Sequence, residues 1–110
     1  MQDNDLHHSH DIKRTITDIE TVTFEKAGQL FKALADPERL KLLTILSRGE
    51  ACVSELASKE QMSTVSQRLK VLKNVDLVRS RREGKHIIYT LSDSHVYQLI
   101  ENALEHVTER

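Results

Sequence analysis

The chain has 110 residues, 38% of them apolar and 30% charged, with a formal net charge of −1. That length supports one small domain, with a core modest enough to gain from oligomerisation. No run reaches the ~18 apolar residues of a membrane span, the polar start is unlike a signal peptide, and the lone Cys52 excludes a disulfide framework. A cytoplasmic location with no membrane partner is expected.

The small net charge hides an asymmetry. Ser66 to His86 holds seven basic residues (Arg68, Lys70, Lys73, Arg79, Arg81, Arg82, Lys85) and two acidic ones (Asp76, Glu83), or +5. Of the total of 16 basic and 17 acidic residues, the remainder then keeps nine and fifteen, or −6. A basic face on an acidic body points to a polyanionic partner.

Residues 1–11 are polar and aperiodic and read as an arm, carrying His7, His8, His10 and Asp11; residues 12–110 read as the folded domain. From about Ile12 to Ala35 the pattern is helical, with Val22, Leu30, Phe31 and Leu34 among its apolar positions. Asp36-Pro37 breaks and restarts it, since Asp36 is a good N-cap and Pro37 suits the first helical position. The next helix, to about Ser47, is expected to bury Leu40, Leu42, Leu43, Ile45 and Leu46. It should leave Arg39 and Lys41 in solvent and stop at Gly49.

A short helix over roughly Val53 to Lys59 precedes one expected to start at Ser63, which can cap it. Val65, Leu69 and Leu72 form the apolar side of this second helix. Ser63, Thr64, Ser66, Gln67, Arg68, Lys70 and Lys73 supply hydrogen-bond donors and charge. Two short helices joined by a tight turn form a helix-turn-helix pattern, whose second helix can enter a DNA major groove. Leu77 to Arg82 and His86 to Leu91 then read as strands around Glu83-Gly84-Lys85, with Gly84 at the turn. A hairpin with Arg81, Arg82 and Lys85 near its tip is the wing of a winged helix, placed to grip phosphates.

Leu91 to Arg110 carries Val96, Leu99, Ile100, Ala103, Leu104 and Val107 at amphipathic-helix spacing, with Ser92 or Asp93 as cap. His95, His106 and Glu109 line one flank of that stripe within roughly 60° of arc. Asp, His, His and Glu are good ligands for zinc. One helix cannot close the site, because His95 and His106 are separated by a rise of ~16 Å while zinc ligands lie ~2 Å from the metal. Two copies packed antiparallel would bring Asp93 and His95 of one to His106 and Glu109 of the other, giving two identical sites.

The chain resembles the ArsR/SmtB family of metal-sensing winged-helix repressors. The resemblance is carried by Phe31 to Leu40 (FKALADPERL), Ser63 to Leu72 (STVSQRLKVL), Gly84 to Leu91 (GKHIIYTL) and the D-x-H…H-x-x-E of the last helix. It implies a mainly α fold with a small β-hairpin, a winged helix-turn-helix that dimerises through its terminal helices. It also implies a repressor that binds operator DNA when metal-free and lets go when metal binds. Asp93, His95, His106 and Glu109 match the inter-subunit zinc pattern of the family's zinc and cobalt sensors; nickel or cadmium would also suit such donors.

Three departures stand out. The loop before Ser63 looks about two residues shorter than is usual. The recognition helix reads Val-Ser-Gln-Arg where many members have Val-Ser-His-Gln. The family's thiol box is reduced to Glu50-Ala51-Cys52-Val53-Ser54-Glu55, which disfavours thiolate-loving effectors. Cys52 and Glu55 could join His7, His8 and His10 as a second metal site, the competing expectation being a buried, inert cysteine. Four protein ligands leave no open position on a metal, and no phosphate loop or nucleophile–base pair is evident, so no enzyme is expected. The alternative to a metal-responsive repressor is a winged-helix DNA-binding dimer that is constitutive or senses a non-metal signal.

Overall fold

The Asp36-Pro37 step divides the two helices that frame the core. In the computed structural model, which describes residues 20–109, α1 spans Thr21–Leu34 and α2 spans Pro37–Leu46. The expected arm with His7, His8, His10 and Asp11, and the helical stretch from Ile12 to Ile19, lie outside the described residues. The Asp36 carboxylate accepts the Arg39 amide at 3.0 Å, and Pro37 occupies the first turn, where a missing N–H is harmless.

Arg39 is not the solvated residue its position suggested. Its Nε donates to the Ala33 carbonyl at 2.6 Å and its Nη2 to the Lys32 carbonyl at 3.3 Å. Carbonyls in the last turn of a helix lack helical donors, so Arg39 clamps the α1–α2 corner. The expected burial along α2 also needs correction. Leu42, Leu43 and Leu46 are buried, but Leu40 is only half-buried and Ile45 is 47% exposed. At ~100° per residue the three buried leucines share one side. Leu40 and Ile45 turn toward the other, where with Pro37, Lys41, Thr44 and Leu104 they line an apolar groove.

A two-residue strand, β1 (Ala51–Cys52), follows; it is too short for alternation to mark it in sequence. Next come α3 (Val53–Ala57) and α4 (Met62–Asn74). Ser58, at φ 53°, and a 2.7 Å bond from the Glu60 amide to the Ala57 carbonyl close a tight turn between them. The chain leaves this turn early, so Gln61 rather than Ser63 is the N-cap residue. Gln61 is extended (φ −67°, ψ 138°) and its carbonyl accepts the amides of Thr64 and Val65. Ser63 lies inside the first turn.

β2 (Val78–Glu83) and β3 (His86–Leu91) form the hairpin, and β1 pairs with the other side of β3, giving the antiparallel order β1-β3-β2. Glu83 pairs with His86 across a two-residue turn whose first residue, Gly84, has φ 61°, a conformation that favours glycine. The last helix, α5 (Ser94–Thr108), starts where the Asp93 carboxylate accepts the Val96 amide at 3.2 Å. Leu43, Val65, Leu69, Leu72, Leu77, Val78 and Ile100 are fully buried at the centre. Each such aliphatic side chain contributes ~1.5–3 kcal/mol of transfer free energy. This core seats α4 and the hairpin side by side. Outside it, Phe24 and Phe31 of α1 and Val107 of α5 stay exposed, Phe31 at 58% and Val107 at 68%.

Candidate nucleic-acid interface and metal-ligand set

The burial of Val65, Leu69 and Leu72 fixes the rotation of α4, and with it the face turned outward. Ser63, Thr64, Ser66, Gln67 and Lys70 are exposed, with Gln67 nearly opposite the buried side by the ~100° rule. Such a surface of hydroxyl, amide and ammonium groups suits reading base edges in a major groove and contacting the flanking phosphates. Arg68 lies elsewhere. It sits on the inner flank, its side chain 21% exposed, and its Nη1 donates to both oxygens of Glu60 at 2.8 and 2.9 Å. Glu60 is the first cause of the raised affinity of Arg68 for its proton, and the pair bridges the turn of the helix-turn-helix. Lys73 donates to the Ser80 hydroxyl at 2.7 Å, tying the end of α4 to β2.

On the wing, Arg82 and Lys85 are exposed at and beside the tip, and Arg82 makes a long 3.4 Å contact to the Gly84 carbonyl. Arg81 is engaged by the Glu50 and Glu83 carboxylates. Glu50, Glu60 and Glu83 are thus functional neighbours that the sequence did not disclose. Glu50 and Arg81 stand 31 positions apart, and no local pattern pairs them.

The ligand candidates divide between the two ends of α5. Asp93 and His95 lie at its start, with His95 Nδ1 3.5 Å from Asp93 Oδ1 and the imidazole almost fully exposed. The Val96 amide, and after it His95, hold the Asp93 carboxyl below its usual range, so it is ionised as a ligand must be. His106 lies in the last turn and Glu109 is the C-cap residue. Its φ of −70° keeps Cβ on the helical course and its amide still reaches the Glu105 carbonyl at 3.0 Å. The i, i+3 relation between His106 and Glu109 therefore survives, although the chain turns away at ψ 146°. Among the described residues, no three His, Cys, Asp or Glu side chains of one chain converge as a metal cluster.

Cys52 and Glu55 are occupied locally. The Glu55 carboxylate accepts the Cys52 amide at 2.9 Å, which lowers its pKa, and the Cys52 thiol, buried, lies 3.1 Å from the Ser54 hydroxyl. Together they form a capping box that starts α3. His7, His8 and His10, their suggested partners, are outside the described residues.

A donor-rich helix held beside a basic hairpin on a helical core defines a winged helix-turn-helix DNA-binding protein. The family profile of the bacterial regulatory protein, arsR family, matches residues 36–80. A transcriptional repressor SmtB homolog of Synechocystis sp. is 40% identical over 95 residues, covering 82% of this chain and 72% of that one. A cadmium resistance transcriptional regulatory protein CadC homolog of Staphylococcus aureus is 36% identical over 105 residues, covering 93% and 87%. The solved homodimeric winged helix-turn-helix DNA-binding domain of a possible ArsR-family regulator from Mycobacterium bovis superposes with a TM-score of 0.79 at 29% identity, covering 84% and 88%. The chain belongs to the ArsR/SmtB family of homodimeric DNA-binding transcriptional regulators, which are not enzymes. Among the described residues no helix is long and apolar enough to cross a membrane.

Proposed function

We propose that this protein is a zinc-responsive repressor that binds its operator as a metal-free homodimer and is released when zinc binds between the subunits. The observation that carries the reading is the division of the ligand set. Asp93 and His95 occupy one end of α5, and His106 and Glu109 the other. Eleven residues of helix put His95 and His106 ~16 Å apart, far beyond what one ion spans. An antiparallel pairing of α5 with its copy supplies the missing half of each site, and the exposed apolar residues of α1 and α5 give that pairing a seam. The donors fit a borderline ion. The Asp93 carboxylate is ionised, and two imidazoles and a second carboxylate would complete a four-ligand set. Cobalt, nickel and cadmium suit the same donors, and geometry rather than donor type selects among them.

A covalent and hydrogen-bonded route joins this end of α5 to the DNA-reading helix. Ser92, the residue before Asp93, is buried, and its hydroxyl donates to Asp76 at 3.2 Å while its amide reaches the Leu77 carbonyl at 3.1 Å. Asp76 and Leu77 lie two and three residues beyond the end of α4. A shift of Asp93 on ligation is therefore passed to the base of the recognition helix. A metal-bound histidine commonly uses its second ring nitrogen as a donor, which gives His106 a second means of passing ligation to its surroundings.

Zinc shifts this equilibrium only by its differential affinity for the two states. The expected coupling is at least about tenfold, or ~1.4 kcal/mol, measured as operator affinity with and without zinc. Operator DNA must weaken zinc binding by the same factor. Equal zinc affinity for the DNA-bound and free dimer would overturn the proposal even if the metal binds tightly.

A further inference from the structure

Arg81 stands where a DNA-binding hairpin is expected to present an unpaired cation. Instead its Nη1 donates to Glu50 at 2.9 Å, and its Nη2 donates to the other Glu50 oxygen at 2.8 Å and to Glu83 at 3.0 Å. A guanidinium fork on a carboxylate is the most firmly held form of this contact. The sheet builds it. Cys52 and Arg81 both stand opposite Ile88 on the central strand, so Arg81 reaches over β3 to the residue that leads into β1. Glu83, two positions along β2, projects from the same face.

One cation held by two anions carries a net charge of −1. The three side chains are 45% (Arg81), 51% (Glu50) and 63% (Glu83) exposed, so a passing phosphate backbone meets an acidic cluster at this place on the wing.

We propose that Glu50 and Glu83 hold Arg81 in reserve and so set how well the protein tells its operator from other duplex. Non-specific binding is essentially counterion release by phosphate contacts. A neutralised Arg81 takes one such contact away and puts carboxylates in its place. Arg81 exchanges Glu50 for phosphate only when base contacts from α4 seat the helix and hold the backbone against the wing. Without those contacts the exchange gives up two charge-assisted bonds to make a new one. Glu50 is thereby a specificity-determining residue that never touches a base. Arg82 and Lys85 remain the contacts used on any sequence.

The test is a salt titration of binding to a short duplex of arbitrary sequence and to a duplex enriched from a random pool by the wild-type protein. Glu50→Gln/Glu83→Gln should bind the arbitrary duplex more tightly, with a log–log salt slope steeper by about 0.9, the value for one added phosphate contact. Its ratio of operator to non-specific affinity should fall. In an Arg81→Ala background the same two substitutions should leave the slope unchanged, because no cation is released. A slope unchanged in the first pair, or steepened equally in both, would overturn the proposal; the second result would mean a general field of removed charge. Glu50→Gln alone must move the slope in the same direction, so a folding defect in the double variant does not shield the idea.

Discussion

Mixed dimers give the most demanding test of the shared metal site. His95→Ala and His106→Ala each remove one ligand, at opposite ends of a helix that runs without interruption from Ser94 to Thr108. Eleven steps of 1.5 Å give ~16 Å, whereas two ligands of one zinc ion lie at most ~4 Å apart, twice the metal–ligand distance. On the proposed site, the two histidines of one chain would therefore serve different ions. Each variant homodimer has both of its sites damaged and should lose tight zinc. In a dimer of one His95→Ala chain and one His106→Ala chain, both lesions fall in one site and the other is whole. Random exchange at equal concentrations makes about half the dimers mixed, so tight zinc should return to about a quarter of the wild-type amount. The assay is competition against a chelating chromophore, with exchange verified by mass on differently tagged chains. Confirmed exchange without any recovered tight zinc would mean that each site draws its ligands from a single chain.

Other outcomes follow from the contacts at the DNA-facing surface and from the cap geometry. Arg82→Ala and Lys85→Ala should each weaken binding to all sequences and flatten the salt slope by about 0.9. Arg68→Ala should leave the slope unchanged, since Glu60 already holds that guanidinium, while Gln67→Ala should change base preference by ~1–3 kcal/mol at one position in a selection experiment. Ser92→Ala should keep zinc affinity but reduce the effect of zinc on DNA binding, and undiminished coupling would remove the Ser92–Asp76 route. The Glu55 pKa is depressed by the Cys52 amide. Its contribution is therefore present above the ordinary carboxylate range and lost as pH falls through the lowered value. Acid denaturation curves of wild type and Glu55→Gln should converge at low pH and separate above it.

Much of the architecture was legible because it rests on local signals. Asp36-Pro37, the apolar spacing in α4 and α5 and Gly84 each act over a few residues, and each shaped the chain as expected. Asp93, His95, His106 and Glu109 were readable as a pattern of candidate ligands, and helical spacing shows that one chain cannot bring all four to one ion. What escaped depends on contacts between distant positions. Arg39 looked solvated because its carbonyl partners belong to the preceding helix, and Ile45 looked buried because composition does not say which side of α2 meets the core. The helix start at Gln61 followed from a tight turn at Ser58, whose φ of 53° is unusual for serine. The carboxylates that restrain Arg68 and Arg81 come from other elements, so charge counting took both arginines as available to DNA.

Asp93 answers to two demands at once, since the carboxylate that starts α5 is also a ligand candidate. Asparagine caps a helix as well as aspartate does but brings no negative charge to a metal. A change of Asp93 to Asn would thus leave the fold, the dimer and the DNA-reading surface in place while weakening the response to zinc. On the proposed function, sensing in this scaffold would be separable from repression by a single conservative step. A lineage could discard its signal and keep its operator, and the position before α5 is where that divergence would first be written.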